Sequence, residues 1–130
     1  MNLESTTVTV EKTQQEVFEF LTKVENFEQL MPESKQKFEK INDARFLFQL
    51  KGMPEIVLEQ KDQTAYNKVV LGAASEKLPF TLTADIVDIG DKKCTTQLLF
   101  KGEFNAMVGM MIKNPIQNFI NTLSENISKL

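Results

Sequence analysis

The last part of the chain carries an apolar stripe that constrains the fold more than any other sequence feature. Its members recur every three or four residues: Ile112, Ile116, Phe119, Leu123, Ile127 and Leu130. This spacing predicts one long amphipathic helix with Asn105 as its N-cap. Pro115 lies inside the stripe, which continues on both sides, so we expect a kink there and not an end. The apolar face of such a helix must be covered by another element.

Alternating apolar and polar residues before this helix predict strands. The clearest alternation runs over residues 80–87 and again over 94–101, with a hairpin turn at Gly90-Asp91 between them. Residues 3–10 predict a first strand, with Thr6, Val8 and Val10 on one face. Shorter patterns between residues 37 and 72 bring the number of strands that follow the first one to about six.

Two short helices are predicted directly after the first strand. Thr13 and Glu16 have the spacing of a capping box, in which each side chain bonds the other residue's backbone N–H. Asn26 and Gln29 repeat that spacing and predict a second start, and Pro32 ends this helix.

Strands in one run and helices at the two ends predict an α+β domain spanning residues 1–130. We expect a curved antiparallel sheet wrapped around the long C-terminal helix, with the two short helices after the first strand. The chain shows no internal repeat and no linker.

Composition excludes several classes of function. A net charge of -3 with scattered lysines argues against a nucleic-acid partner. With one cysteine, no internal disulfide forms, and with no apolar leader or long apolar run we expect a cytoplasmic protein without a membrane segment.

Chemistry that depends on histidine is also excluded, because the chain has none. Ser-His-Asp and Cys-His catalysis are absent in their usual forms, and a zinc site from Cys94 alone is disfavoured. Asp85, Asp88 and Asp91 are interpreted as a solvated hairpin and not as a cation site. We therefore predict no metal, no cofactor and no catalytic residue.

The opening of the chain resembles the START-like, or SRPBCC, superfamily with the helix-grip fold. The residues that carry the resemblance are Val8-Thr9-Val10, Glu16-Val17-Phe18-Glu19-Phe20-Leu21, Val24-Glu25-Asn26-Phe27 and Leu30-Met31-Pro32, followed by the long C-terminal helix. The polyketide cyclase and lipid-transfer branches are the most similar. The resemblance implies a cavity between sheet and helix that binds apolar or amphipathic ligands, although this chain lacks the tryptophan that many members place in the second short helix.

Candidate ligand contacts follow from that implied cavity. Methionine side chains are flexible and polarizable, so Met107, Met110 and Met111 in the first turns of the long helix are predicted to line one end of it, with Asn114 nearby as a hydrogen-bonding group. The alternative is that these methionines fill irregular core space. From the sheet, the predicted lining residues are Phe46, Phe48, Leu58, Leu71, Leu82 and Phe100.

Three functions compete at this level. The leading hypothesis is non-catalytic binding of a small hydrophobic ligand such as a lipid, an isoprenoid or a polyketide-like molecule. The first alternative is a cyclase or dehydratase acting through cavity shape, with Tyr66, Arg45 and Asn114 as candidates. The second is a protein-interaction module that acts through its sheet face or as a homodimer.

Overall fold

Strands and helices follow the predicted order in the computed structural model, which describes residues 1–75 and 79–130. The strands are β1 (Asn2–Glu4), β2 (Val8–Val10), β3 (Lys35–Asn42), β4 (Arg45–Leu50), β5 (Ile56–Thr64), β6 (Lys68–Ala73), β7 (Phe80–Gly90) and β8 (Lys93–Gly102). The helices are α1 (Gln14–Leu21), α2 (Phe27–Leu30), which a 3₁₀ turn at Val24–Asn26 precedes, and α3 (Ala106–Ile127).

The strands form one antiparallel sheet in the order β1-β8-β7-β6-β5-β4-β3, and β2 also pairs with β8. Strands β3 to β8 each pair with the next strand along the chain. Strands β1 and β2 pair with β8, at the edge of the sheet opposite β3. The α3 helix packs against β8, β1 and β2. The predicted α+β fold class, a curved antiparallel sheet around a long C-terminal helix, is confirmed.

The predicted capping hydrogen bonds form at two of the three helix starts. The backbone N–H of Glu16 donates to Thr13 Oγ1 and the backbone N–H of Thr13 donates to Glu16 Oε1, both at 3.1 Å. Asn105 caps α3 by accepting from the backbone N–H of Val108 at 2.9 Å. Asn26 directly precedes α2 as predicted, but its side chain makes no capping bond: the residue lies in the helical region at the end of the 3₁₀ turn, and its amide N–H donates to the Phe20 carbonyl oxygen at 3.0 Å.

The first strand breaks where the sequence predicts one continuous strand. Ser5 exchanges two hydrogen bonds with Leu98, through its backbone N–H and its Oγ, each at 2.9 Å. Because a side-chain oxygen replaces a backbone carbonyl here, the strand changes face between β1 and β2. Leu3 and Ser5 are therefore buried before the break and Val10 after it, whereas Thr6 is exposed. The prediction that Thr6 shares a face with Val10 was wrong.

The core lies between the inner face of the sheet and the second half of α3. Five apolar residues of that half have at most 5% of their surface exposed: Ile116, Phe119, Ile120, Leu123 and Ile127. Burial of each such side chain contributes roughly 1.5–3 kcal/mol. Pro115 lies inside a helix that continues on both sides of it, as predicted.

Candidate ligand-binding site

The middle of the sheet–helix interface is packed and has no room for a ligand. Phe48 stacks on Phe119 of α3 with ring centroids 5.1 Å apart, and Phe46 stacks on Phe27 of α2 at 5.2 Å. A space of only about 10 Å³ remains in this region. That is at the lower limit of what a single water molecule needs.

Five of the predicted lining residues belong to this packed core and not to a cavity wall. Phe46, Phe48, Leu58, Leu71 and Leu82 have between 0% and 4% of their surface exposed. Their alternation in the sequence correctly predicts an inward-facing side chain, but it does not distinguish a filled interior from a hollow one.

A cavity of about 100 Å³ lies instead at one end of the interface, between the sheet and the first half of α3. The sheet contributes Ile56, Ala73, Phe80 and Phe100, and the helix side contributes Phe104, Val108, Ile112 and Ile116. Val108, Ile112 and Ile116 are four residues apart, so they lie on one face of the helix. Phe100 is the one residue of the ten predicted contacts that lines this cavity.

The three methionines of α3 point away from the cavity. Met107, Met110 and Met111 are 74%, 82% and 70% exposed. Extending the apolar stripe backwards from Ile112 by four residues leads to Val108, so the sequence did contain the correct helical phase. The two predictions for these methionines, that they line the cavity or fill the core, are both wrong in this structure. Their contact with a ligand stays a prediction.

Three phenylalanine rings form the aromatic wall of the cavity. Phe100 stacks between Phe80, at a centroid distance of 5.1 Å, and Phe104, at 6.2 Å. Gly102 makes this arrangement possible, because a Cβ there would lie 2.5 Å from the Phe104 ring and 3.0 Å from the Phe80 Cβ. Sequence analysis missed Phe104, whose position just before the Asn105 cap gives no periodic pattern.

The rim of the cavity carries its polar groups. Glu55 and Ser75 lie there together with Met53 and Pro54 of the β4–β5 loop. Glu55 Oε2 accepts a hydrogen bond from Lys37 Nζ at 2.9 Å, and this bond raises the pKa of the lysine. The site therefore combines an apolar interior with a charged pair at its solvent edge, which suits an amphipathic molecule.

None of the three candidate catalytic residues lines the cavity. Tyr66 packs edge-on against Phe18 at 5.4 Å, and the Nε of Arg45 contacts Glu59 Oε2 at 2.6 Å. Asn114 is exposed and borders a separate groove beside Pro115. The three residues on which the enzyme hypothesis depended are therefore not placed to act on a molecule in the cavity.

Other chemical groups add nothing to this site. Among the described residues, no group of three His, Cys, Asp or Glu side chains is arranged to hold a metal ion. Cys94 is buried, and its burial raises the pKa of the thiol. No helix among residues 1–75 and 79–130 is long and apolar enough to cross a membrane.

Comparison with solved structures identifies the fold. The chain is similar to norcoclaurine synthase from Thalictrum flavum in complex with dopamine and hydroxybenzaldehyde (TM-score 0.75, 10% identity, 99% of this chain and 84% of that chain). It is also similar to a START superfamily protein from Mycobacterium smegmatis (TM-score 0.72, 10% identity, 98% and 94%) and to a conserved protein from Geobacillus kaustophilus (TM-score 0.69, 15% identity, 99% and 93%). No family model and no curated protein matches the sequence.

These likenesses show that the chain has a START-like, or SRPBCC-like, helix-grip fold. At sequence identities of 15% or less, these structural likenesses show the fold and not the function. The cytoplasmic location, the homodimer and the absence of a nucleic-acid partner stay predictions.

Proposed function

We propose that the protein binds one small apolar or amphipathic molecule in the cavity between β5–β8 and the first half of α3. The observation that supports this most strongly is the composition of the site. Aliphatic and aromatic side chains surround the interior, and the polar groups lie at the rim. Apolar cavities of this kind stay dry when empty, so a fitting apolar ligand displaces no well-bound water.

The size of the cavity limits the ligand. An engineered apolar cavity of about 150 Å³ accepts benzene, whereas pockets for drug-sized ligands run from about 300 Å³. At about 100 Å³ the cavity holds at most one ring or a short branched alkyl group unless its walls move. Met53 is half-buried, and its unbranched, flexible side chain makes it the wall residue best suited to move.

We therefore favour a single-ring aromatic compound or an isoprenoid-sized group over a long-chain lipid. The norcoclaurine synthase described above holds dopamine and hydroxybenzaldehyde, each of which has one ring. Ring–ring contacts with Phe80, Phe100 and Phe104 would add to simple burial. The pair of Glu55 and Lys37 would face the polar end of the ligand.

Native mass spectrometry tests the proposal directly. The protein is purified gently and incubated with phenol, p-cresol, geraniol and decanoic acid as separate probes. We expect a one-to-one adduct with the ring compounds or geraniol, and a rise in melting temperature as the probe concentration exceeds its Kd. The absence of any adduct and of any thermal shift with all four probes would overturn the proposal.

A matched pair of variants locates the binding site. Ala73→Phe places a ring in the cavity, whereas Ala74→Phe places the same ring in the neighbouring groove, because Ala74 borders that groove and not the cavity. We expect adduct formation to be lost in the first variant and kept in the second, with both melting cooperatively. Equal binding by both variants would show that the probes bind elsewhere.

A further inference from the structure

An exposed patch of methionines lies beside the cavity. Met107, Met110 and Met111, called the methionine patch below, are three and four residues apart and share one face of α3. They have the highest exposed fractions among the exposed large hydrophobic side chains of the described residues, at 74%, 82% and 70%. Exposed apolar side chains clustered on one face usually contact something.

The patch is too small to hold two copies of the chain together by itself. Three methionines present on the order of 400 Å² of surface, about half of the ~800 Å² that each partner contributes to a standard protein interface. Shallow insertion into a lipid surface needs no such minimum, because the bilayer adapts to the side chains.

Charge around the patch fits a lipid surface. The whole chain has net charge -3, yet Lys113 is the only charged residue between Glu103 and Glu125. Lys51 is exposed and borders the groove at Asn114 and Pro115, which lie one helical turn after Met110 and Met111. Lysines flanking an uncharged apolar helix face attract anionic lipid headgroups while the apolar side chains insert.

The patch is also continuous with the mouth of the cavity. Val108 and Ile112 face the cavity from the same helical turns that carry the methionines. Met53 and Pro54 of the β4–β5 loop border the same opening. Contact of these turns with a bilayer would therefore bring the opening to the surface from which apolar molecules partition.

We infer that the methionine patch docks the protein on an anionic lipid bilayer with the cavity mouth next to the membrane. Docking depends on the patch and on the flanking lysines. The transfer of a ligand between membrane and cavity rests on the proposed function, and the experiment separates the two.

Vesicle flotation tests the docking. Wild-type protein is mixed with vesicles of phosphatidylcholine alone, or of phosphatidylcholine and phosphatidylglycerol at about three to one. We expect flotation with the anionic vesicles and a decrease as salt is raised. Wild-type protein that stays unbound to both kinds of vesicle would overturn the inference.

Two triple variants provide the comparison. Met107→Ser with Met110→Ser and Met111→Ser removes the patch. Ile41→Ser with Val87→Ser and Ile89→Ser removes side chains that are 49%, 55% and 50% exposed near the hairpins at the opposite end of the sheet. We expect at least a ~10-fold loss of vesicle partitioning in the first variant, equivalent to about 1.4 kcal/mol, and none in the second.

Two further readouts keep the outcomes distinct. Probe adducts in native mass spectrometry should persist in the patch variant, because its changed side chains lie outside the cavity. Loss of vesicle binding with retained adducts would support docking independently of ligand binding. Light scattering gives the oligomeric state. A wild-type dimer that the patch variant converts to a monomer would show that a second copy covers the patch, and would overturn the inference.

Discussion

A buried pair of serine hydroxyls joins α3 to the edge of the sheet, and its removal gives a calculable loss of stability. Ser124 Oγ donates to Ser5 Oγ at 2.7 Å, and Ser5 Oγ accepts from the backbone N–H of Leu98 at 2.9 Å and donates to the Thr6 carbonyl oxygen at 3.0 Å. Ser5 is 4% and Ser124 0% exposed. Ser5 thus stands at the centre of the network and Ser124 at its end.

The two alanine substitutions therefore have unequal costs. Ser5→Ala leaves the buried N–H of Leu98 without an acceptor, at about 1–3 kcal/mol, and removes the partner of the Ser124 hydroxyl, so we expect a total of about 2–4 kcal/mol. Ser124→Ala leaves Ser5 with its other two bonds and should cost about 0.5–1.5 kcal/mol. The double variant should cost less than the sum of the two, because the changes share a partner.

Urea unfolding followed by circular dichroism measures these costs. With a slope of about 1–3 kcal/mol per molar, we expect the midpoint for Ser5→Ala to fall by roughly 1–2 M. Thr7→Ala, an exposed substitution at the same break in the strand, is the control and should stay within about 0.5 kcal/mol of wild type. A loss for Ser124→Ala as large as that for Ser5→Ala would refute this account of the network.

Three other predictions concern the cavity wall, the thiol and one carboxylate. Gly102→Ala should cost about 1–3 kcal/mol in urea unfolding because its Cβ meets aromatic side chains, whereas Gly72→Ala, whose Cβ meets only the flexible part of a lysine, should cost less than 1 kcal/mol. Cys94 is fully buried with a raised thiol pKa, so we expect it to react with a disulfide reagent only as fast as the protein unfolds; rapid reaction in native buffer would contradict its burial. The pKa of Glu59 lies below its ordinary value of 4.5, chiefly because Lys61 donates to its carboxylate, so its stabilising effect is complete above pH 4.5 and lost as pH falls through the lower folded value. Glu59→Gln should reduce the decline in melting temperature over that acid range, and an identical decline in both proteins would contradict the prediction.

Local patterns in the sequence determined most of the architecture. The capping boxes, the alternation in β7 and β8 and the stripe of α3 act over a few residues, so they can be recognised without knowledge of distant partners. The order of these elements predicted an antiparallel sheet packed on one side by helices, and the resemblance to the START-like superfamily implied the helix-grip layout. Asn26 shows the limit of a local pattern, since α2 starts after it as predicted but the residue already has helical backbone angles and its side chain forms no capping bond.

Only the tertiary structure decided where the chain is hollow. Phe46 and Phe48 meet rings from α2 and α3, so the interior that their alternation predicts is filled, while the opening lies where Phe104, Val108 and Ile112 stand opposite Phe80 and Phe100. A void is a property of the gap between elements far apart in sequence, and its volume depends on how their side chains interdigitate. The same reason explains the break at Ser5, which depends on two bonds to Leu98 across 93 positions. The sequence by itself determined which faces are apolar; the packing of those faces decided that the core is closed in its middle, open at one end, and bordered there by three methionines that face outward.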